Sequence, residues 1–129
     1  MRLMSSSVNT ELPFATLIVV AHHGDQIVGV GAIKRVRPDY TSKIAQRSGV
    51  FLDPDTPDLG YVAVDSTHRG NNLSDFIVEK LLSKHRGPLF ATTFNDLMKK
   101  TLTRAGFVQK GNEWAGQNGQ LSLWMMMNC

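Results

Sequence analysis

The stretch Asp58-Leu59-Gly60-Tyr61-Val62-Ala63-Val64-Asp65-Ser66-Thr67-His68-Arg69-Gly70-Asn71-Asn72-Leu73-Ser74 commits this chain to one local geometry. Its apolar, β-branched run from Leu59 to Val64 reads as a strand. A short polar turn holding Arg69-Gly70 follows, and an amphipathic helix starts at once, from about Asn72 to Lys84. Leu73, Phe76, Ile77 and Leu81, with Val78 at the edge, recur at three- and four-residue steps, which predicts one buried stripe. A strand feeding a small-residue turn at a helix start aims several unpaired N–H groups, and the positive helix end, at one point. That is an anion site, most often used for phosphate. The plainer alternative is an ordinary connection capped by Asn71 or Ser74.

The rest of the chain punctuates itself clearly. Residues 1–13 are polar, Ser-rich and end at Pro13, so a loose lead-in is expected. Phe14 to Ala21 and Gln26 to Lys34 are dense apolar runs, and Gly24-Asp25 between them is a hairpin signal. Residues 35–57 hold three of the five prolines and little periodicity. They are expected to form a long excursion with a helical turn or two around Thr41 to Arg47. Gly87-Pro88 stops the central helix. Pro88 to Phe94 reads as a buried strand, and a second helix runs from Asn95, a good N-cap, to Gly106, a good stop. Its apolar positions are Leu97, Met98, Leu102 and Ala105. Phe107 to Trp114 and Gln120 to Met126 are the last strands. The order β-β-loop-β-α-β-α-β-β describes an α/β (α+β) plan, with no internal repeat and one domain over 1–129.

Composition excludes several classes. At 42% apolar and 19% charged residues the chain is an ordinary globular one. A net charge of +3 with scattered basic residues suits a small anion better than a nucleic-acid backbone. The densest basic run, Lys34-Arg35-Val36-Arg37, reads as a solvated strand end. No apolar run nears the roughly 20 residues that span a bilayer. Cys129 is the sole cysteine, so no internal disulfide forms, and a cytoplasmic protein is expected.

With this element order, the chain resembles the GNAT superfamily of acyl-CoA-dependent N-acetyltransferases over roughly residues 14–126. Three features carry the likeness. Val64-x-Ser66-x-x-Arg69-Gly70 followed by Asn71-Asn72-Leu73-Ser74 parallels the family's V-x-P-x-x-(Q/R)-x-x-G-x-(G/A). Asn95 opens the next helix after a buried strand. Gly106-Phe107 closes that helix into a strand, with a Trp-containing hairpin behind. The resemblance implies a mixed, mostly antiparallel β-sheet with helices on both faces, shortened at the N-terminus. It implies acetyl-CoA as co-substrate, with the pyrophosphate cradled by Arg69, Gly70, Asn71, Asn72, Leu73 and Ser74, largely through main chain. Val62, Ala63 and Val64 would lie along the pantetheine and acetyl group, with a backbone N–H near Val64 polarising the thioester carbonyl. Asn95 would bond the pantetheine arm, and Arg104 would reach the CoA phosphates.

The sequence also departs from the family. Asn72 and Ser74 fill the two small motif positions, and Ser66 replaces the usual proline. Leu102 stands where many members carry the tyrosine acid, and Phe90 replaces a carboxylate of some protein-acetylating members. The 13-residue lead-in is too short for the strand and two helices that normally wall the acceptor site. That wall is then expected from residues 35–57 or from a second subunit.

Transfer to an amine requires a place for the ammonium proton. Asp58 lies six residues before Val64, where histone-type members carry a glutamate base, and a carboxylate beside an apolar strand can be tuned for that work. As a plain turn residue after Pro57, Asp58 would merely begin the strand. Tyr61 either faces the acceptor or packs in the core. Adjacent strand residues His22 and His23 point to opposite faces and do not share a metal, and no Cys/His/Asp spacing suggests one. Asp65, Ser66 and His68 name the residue types of a hydrolase triad without its G-x-S-x-G elbow, so that reading fails. The exposed end of Met125 to Met127 marks a candidate homodimer contact. The expected activity is therefore acetyl transfer to a small-molecule or peptide amine by direct attack. The alternative is a CoA-binding regulator or partner-binding module that has lost the chemistry.

Overall fold

Strand and helix signals fall where the chain needs them, and the computed structural model describes residues 2–7, 15–68 and 72–127. The described elements run β1 (Arg2–Ser7), β2 (Ala15–His23), β3 (Gln26–Lys34), α1 (Pro38–Ser48), β4 (Asp58–Val64), α2 (Leu73–Lys84), β5 (Leu89–Thr93), α3 (Asp96–Ala105), β6 (Val108–Ala115) and β7 (Gln120–Met126), with a 3-10 turn at Ser66–His68. This is the expected mixed, mostly antiparallel α/β class. The chain divides into two compact units, both discontinuous in sequence: Met1–Lys34 with Leu59–Arg86, and Arg35–Asp58 with Gly87–Cys129.

In the first unit, β1, β2, β3 and β4 lie side by side in that order. β2 and β3 form an antiparallel hairpin through Gly24 at φ 63°, as the Gly24-Asp25 signal required. α2 packs on β3 and β2. Its wholly buried Leu73, Ile77, Val78 and Leu81 form the inner stripe. Two glycines of β3 set how near that helix comes. A Cβ on Gly31 would collide with Ile77 Cγ2 and meet Leu81 Cδ1 at 3.1 Å, and one on Gly29 would sit 2.9 Å from Ile77 Cδ1. Phe76, expected in the stripe, is instead 50% exposed. The buried arc of α2 is narrower than its apolar arc.

The lead-in is also a correction. Arg2–Ser7 is a strand, paired antiparallel with β2 from Arg2 opposite His22 to Ser7 opposite Leu17. Backbone ladder bonds need no apolar run, which is why a Ser-rich segment concealed a strand.

In the second unit, β7 lies between β5 and β6, antiparallel to both. Asp58, the first residue of β4, pairs parallel with Phe90 of β5. Ile44, Leu52, Phe90, Leu123 and Met125 form the core, with Val36, Ala45, Val50 and Trp114 packed against it. A buried polar chain also ties β5 to β7. Trp124 Nε1 donates to Ser122 Oγ (2.8 Å), which donates to the Thr93 carbonyl (3.2 Å).

The expected excursion over 35–57 contains a complete helix, α1. Arg37 is extended, as a residue before proline prefers, and Pro38 occupies the first turn. Gly49 at φ 77° closes the helix with its N–H on the Ala45 carbonyl. The buried face is Thr41, Ile44 and Ser48. The two hydroxyls are satisfied within the helix, Thr41 on the Pro38 carbonyl (2.9 Å) and Ser48 on Ile44 (2.8 Å). The helical turns expected around Thr41 to Arg47 are thus there, and a stripe that is two-thirds polar is why no apolar period marks the full length from Pro38 to Ser48.

Candidate functional site

β4 ends at Val64 and α2 begins at Leu73, the strand and the helix that the opening stretch predicted on either side of its turn. Asn72 is the N-cap of α2 and adopts the left-handed conformation, φ 57° and ψ 24°. It is the one non-glycine at positive φ among the described residues. Asparagine tolerates this region better than most side chains. Its side chain makes no cap hydrogen bond to the helix. The first-turn N–H groups are therefore not closed by the residue best placed to close them. Leu73 is buried at 2% exposure, which leaves its main chain as the part able to meet a ligand, and Ser74 is half-buried. Arg69, Gly70 and Asn71 lie outside the described residues.

On β4, Val62 and Val64 are half-buried, while Ala63 and Tyr61 are exposed. Tyr61, at 46% exposure, is therefore not a core residue. The 3-10 turn beyond β4 is pinned at both ends. Asp65 N donates to the Val28 carbonyl (2.8 Å), and the Asp65 carboxylate accepts from the Thr67 hydroxyl (3.1 Å) and backbone N–H (3.4 Å). The Thr67 N–H and then its hydroxyl hold the Asp65 carboxyl below its usual range, with His68 adding to the effect. His68 Nδ1 lies 2.9 Å from Thr67 Oγ1, and its Nε2 lies 3.4 Å from His23 Nδ1, with the two rings edge-on. Sequence reasoning missed this His23–His68 contact, because 45 residues separate partners joined by pairing along the strands. No group of three or more metal-ligating side chains occurs among the described residues.

The second unit holds a different cluster. Asp58 is buried, at 6% exposure, in its position opposite Phe90. Tyr40, from the first turn of α1, lays its ring over Phe90 with centroids 6.3 Å apart and planes tilted by 34°. Burial, then the neighbouring Asp58 charge, pushes the Tyr40 hydroxyl above its usual range, while a side-chain hydrogen bond with Thr92 pulls the other way. Thr92 lies two residues beyond Phe90, so both side chains share one face of β5. Tyr40 escaped the sequence reading because the helical turns expected there began only at Thr41, whereas α1 begins at Pro38. Pro38 at a helix start with Gly49 eleven residues later was the signal that could have exposed it.

Asn95 is extended (φ −97°), and its Oδ1 accepts from the N–H groups of Leu97 (2.9 Å) and Met98 (3.1 Å). Its own N–H donates to Thr93 Oγ1 at 3.0 Å. The side-chain oxygen is thus committed to the helix, which leaves Nδ2 as the group able to meet a pantetheine carbonyl. Arg104 is exposed near the C-terminal end of α3. Leu97, one of the apolar positions of that helix, is 72% exposed. Leu102 and Phe90, which replace the acid and the carboxylate, are fully buried core residues.

Comparison with solved structures gives the fold a name. A ribosomal-protein-alanine N-acetyltransferase from Brucella melitensis superposes with a TM-score of 0.69 at 20% identity, over 92% of this chain and 71% of that one. A GNAT-family acetyltransferase from Streptococcus agalactiae gives 0.69 at 14% identity, over 87% and 65%. Salmonella typhimurium yncA, solved with its cofactor acetyl-CoA, gives 0.67 at 14% identity, over 92% and 66%. The chain thus has the fold of the GNAT acetyltransferases, at about two thirds of the length of these three relatives. No family model matches the sequence, and no curated protein matches it either.

Proposed function

We propose that this chain is an acetyl-CoA-dependent N-acetyltransferase acting on a primary amine of a small molecule or peptide. The observation that carries the reading is the α2 N-terminus: on a GNAT fold, at the helix that follows β4, the left-handed N-cap Asn72 makes no side-chain hydrogen bond to the first-turn amides. Amides so placed are suited to a pyrophosphate. On the first unit, the main chain of Asn72, Leu73 and Ser74, with Arg69, Gly70 and Asn71 before them, would hold that group. Val62, Ala63 and Val64 would guide the pantetheine, and a backbone N–H near Val64 would polarise the carbonyl. On the second unit, Asn95 Nδ2 and the Arg104 guanidinium are the donors assigned to the cofactor.

Acetyl-CoA, when bound, supplies the acetyl group as an activated thioester. The chain's own work is to orient the amine, donate hydrogen bonds to the carbonyl oxygen and take up the ammonium proton. Positioning and fixed donors account for much of such an acceleration. Asp58 accepts the proton directly or through a water it orders. Leu102 offers no acid, so the departing thiolate takes its proton from solvent. Work in the cytoplasm belongs to the same reading. Among the described residues, no helix is long and apolar enough to cross a membrane.

The experiment is calorimetry with acetyl-CoA followed by thiol release against an amine panel. Binding with turnover on at least one amine is expected, and no binding overturns the reading. The buried Leu102 and Phe90 favour a second reading, a CoA-binding regulator, and tight binding without turnover on any acceptor would establish it. Asp58→Ala should lower kcat/KM by about 100-fold or more and remove the acid limb of the pH profile. An unchanged rate and profile would take Asp58 out of the mechanism.

A further inference from the structure

The 3-10 turn that follows β4 carries a line of polar side chains that the acetyltransferase reading leaves unused. Asp65 Oδ2 lies 3.1 Å from Thr67 Oγ1, which lies 2.9 Å from His68 Nδ1. His68 Nε2 in turn lies 3.4 Å from Nδ1 of His23, at the end of β2. All four residues belong to the first unit. The carboxylate gives this line a direction. An ionised Asp65 only accepts, so the single Thr67 hydroxyl proton goes to it, and the Thr67 oxygen accepts from His68 Nδ1–H. The opposite order would aim a bare Nδ1 lone pair at the carboxylate oxygen, 3.6 Å away. The neutral His68 ring therefore has no proton on Nε2, and His23 supplies the Nδ1–H that meets it. Both imidazoles are held as Nδ1–H, whereas a neutral histidine side chain in water favours Nε2–H.

We propose that this relay is a proton-governed latch between β2 and the turn, holding while the two histidines carry at most one added proton and opening when they carry two. The first added proton leaves a single N–H between the rings, whichever ring holds the charge, and makes that bond charge-assisted. The second puts an N–H on both facing nitrogens. Two donors and two positive charges then meet across the same 3.4 Å gap, and the contact parts. The turn is thus held at neutral pH and released in acid. The other titratable groups on the packed elements are few. His22 stands beside His23 on β2, opposite Arg2 of β1, and the hairpin carries Asp25. β3 carries Lys34 at its far end, and β4 carries Tyr61 and Asp58, four and seven residues before Asp65. α2 opens with Asp75 and carries Glu79, Lys80 and Lys84 further along, and Arg69 follows His68 outside the described residues. Asp65 is the charge the relay uses, and the Thr67 N–H and hydroxyl hold its carboxyl below the usual range.

NMR of the free protein tests this, with no cofactor or turnover required. Imidazole nitrogen shifts should show both rings as Nδ1–H when neutral. The latch is read from protection of the Asp65 and His68 amides, which donate to the Val28 and Asp65 carbonyls. In wild type and in a His22→Ala control, that protection should fall about fivefold or more in acid, once the same spectra show both rings charged. His23→Ala should lose it already at neutral pH. His23→Asn is the sharper variant. Its amide offers an N–H to a neutral His68 and turns its oxygen to a charged one, so protection should persist at neutral pH and in acid. A neutral His68 carrying Nε2–H overturns the proposal, as does protection in His23→Ala equal to wild type, or an acid loss in His23→Asn that matches wild type. None of these readings passes through acetyl-CoA, so failure of the cofactor to bind would remove the acetyltransferase reading and leave the latch in place.

Discussion

Two asparagines stand at the starts of two helices and do opposite things. Asn95 is extended and spends its Oδ1 on the Leu97 and Met98 amides, so α3 is closed by its own chain. Asn72 is left-handed and makes no side-chain bond to α2. Both helices carry one aspartate in the first turn, Asp75 and Asp96, so the contrast is not one of local charge. It lies in the backbone. An extended N-cap turns its side chain back over the first amides, and a left-handed one does not. A closed helix start is a stability device, while an open one gives up that stability and keeps donors for an anion. Residue type does not separate the two.

The severest way to break the contrast is to unseat the open helix. Gly31→Val places two methyl groups where even a Cβ collides with the fully buried Ile77. Overpacking of this kind costs about 1–3 kcal/mol and displaces α2. Thermal denaturation should show the loss, and acetyl-CoA affinity should fall with it. Retained affinity in a destabilised but folded variant would show that the seat of α2 does not set the site.

A finer test exchanges the two asparagines for alanine. Asn95→Ala removes two cap bonds and should cost about 1 kcal/mol, with a modest change in acetyl-CoA affinity. Asn72→Ala removes no cap bond, yet it puts a β-carbon with no polar compensation into the left-handed region, at about 1 kcal/mol. The pair should thus lose similar stability and differ in binding, which falls further for Asn72→Ala as the turn shifts. Asn72→Gly sharpens this, because glycine takes the same angles without strain and should keep both stability and affinity. Equal affinity losses at positions 72 and 95 would erase the distinction.

These contrasts also mark what the sequence could disclose. The strand and the helix within 58–84 were legible because the apolar period changes from two to three or four within one stretch. Asn95 and Gly106 were legible as caps because capping is local chemistry. α1 was legible only as a helical turn or two around Thr41 to Arg47, since Thr41 and Ser48 bury hydroxyls that bond back within the helix and leave no apolar period to mark its full length. β1 was not, because ladder pairing tolerates serines. Phe76 and Leu97 were assigned to apolar stripes, but period alone does not say how wide an arc the neighbours cover. Asp58 was legible as a candidate. Its companions Tyr40 and Thr92 come from positions 18 and 34 residues away in the chain, and no local pattern links them.

The smallest expected effect concerns the turn that leads toward the open helix. Thr67 holds the Asp65 carboxyl below its usual range, so the folded chain releases that proton more readily than the unfolded one. The contribution is therefore present above the unfolded midpoint near 3.8 and is lost as pH falls through the lower folded value. Asp65 is only half-buried, with its side chain 32% exposed, so solvent screens the interaction and the effect on stability is slight. Asp65→Ala should melt just below wild type at pH 7, and the two curves should converge in acid. If the turn also shapes the approach to α2, the same variant should bind acetyl-CoA more weakly at pH 7 by a small factor. Calorimetry of the two proteins at one pH removes the titration of the ligand's own phosphates from the comparison. Identical affinities would confine the Asp65–Thr67–His68 turn to stability and leave the geometry of Asn72 alone responsible for keeping the helix start open.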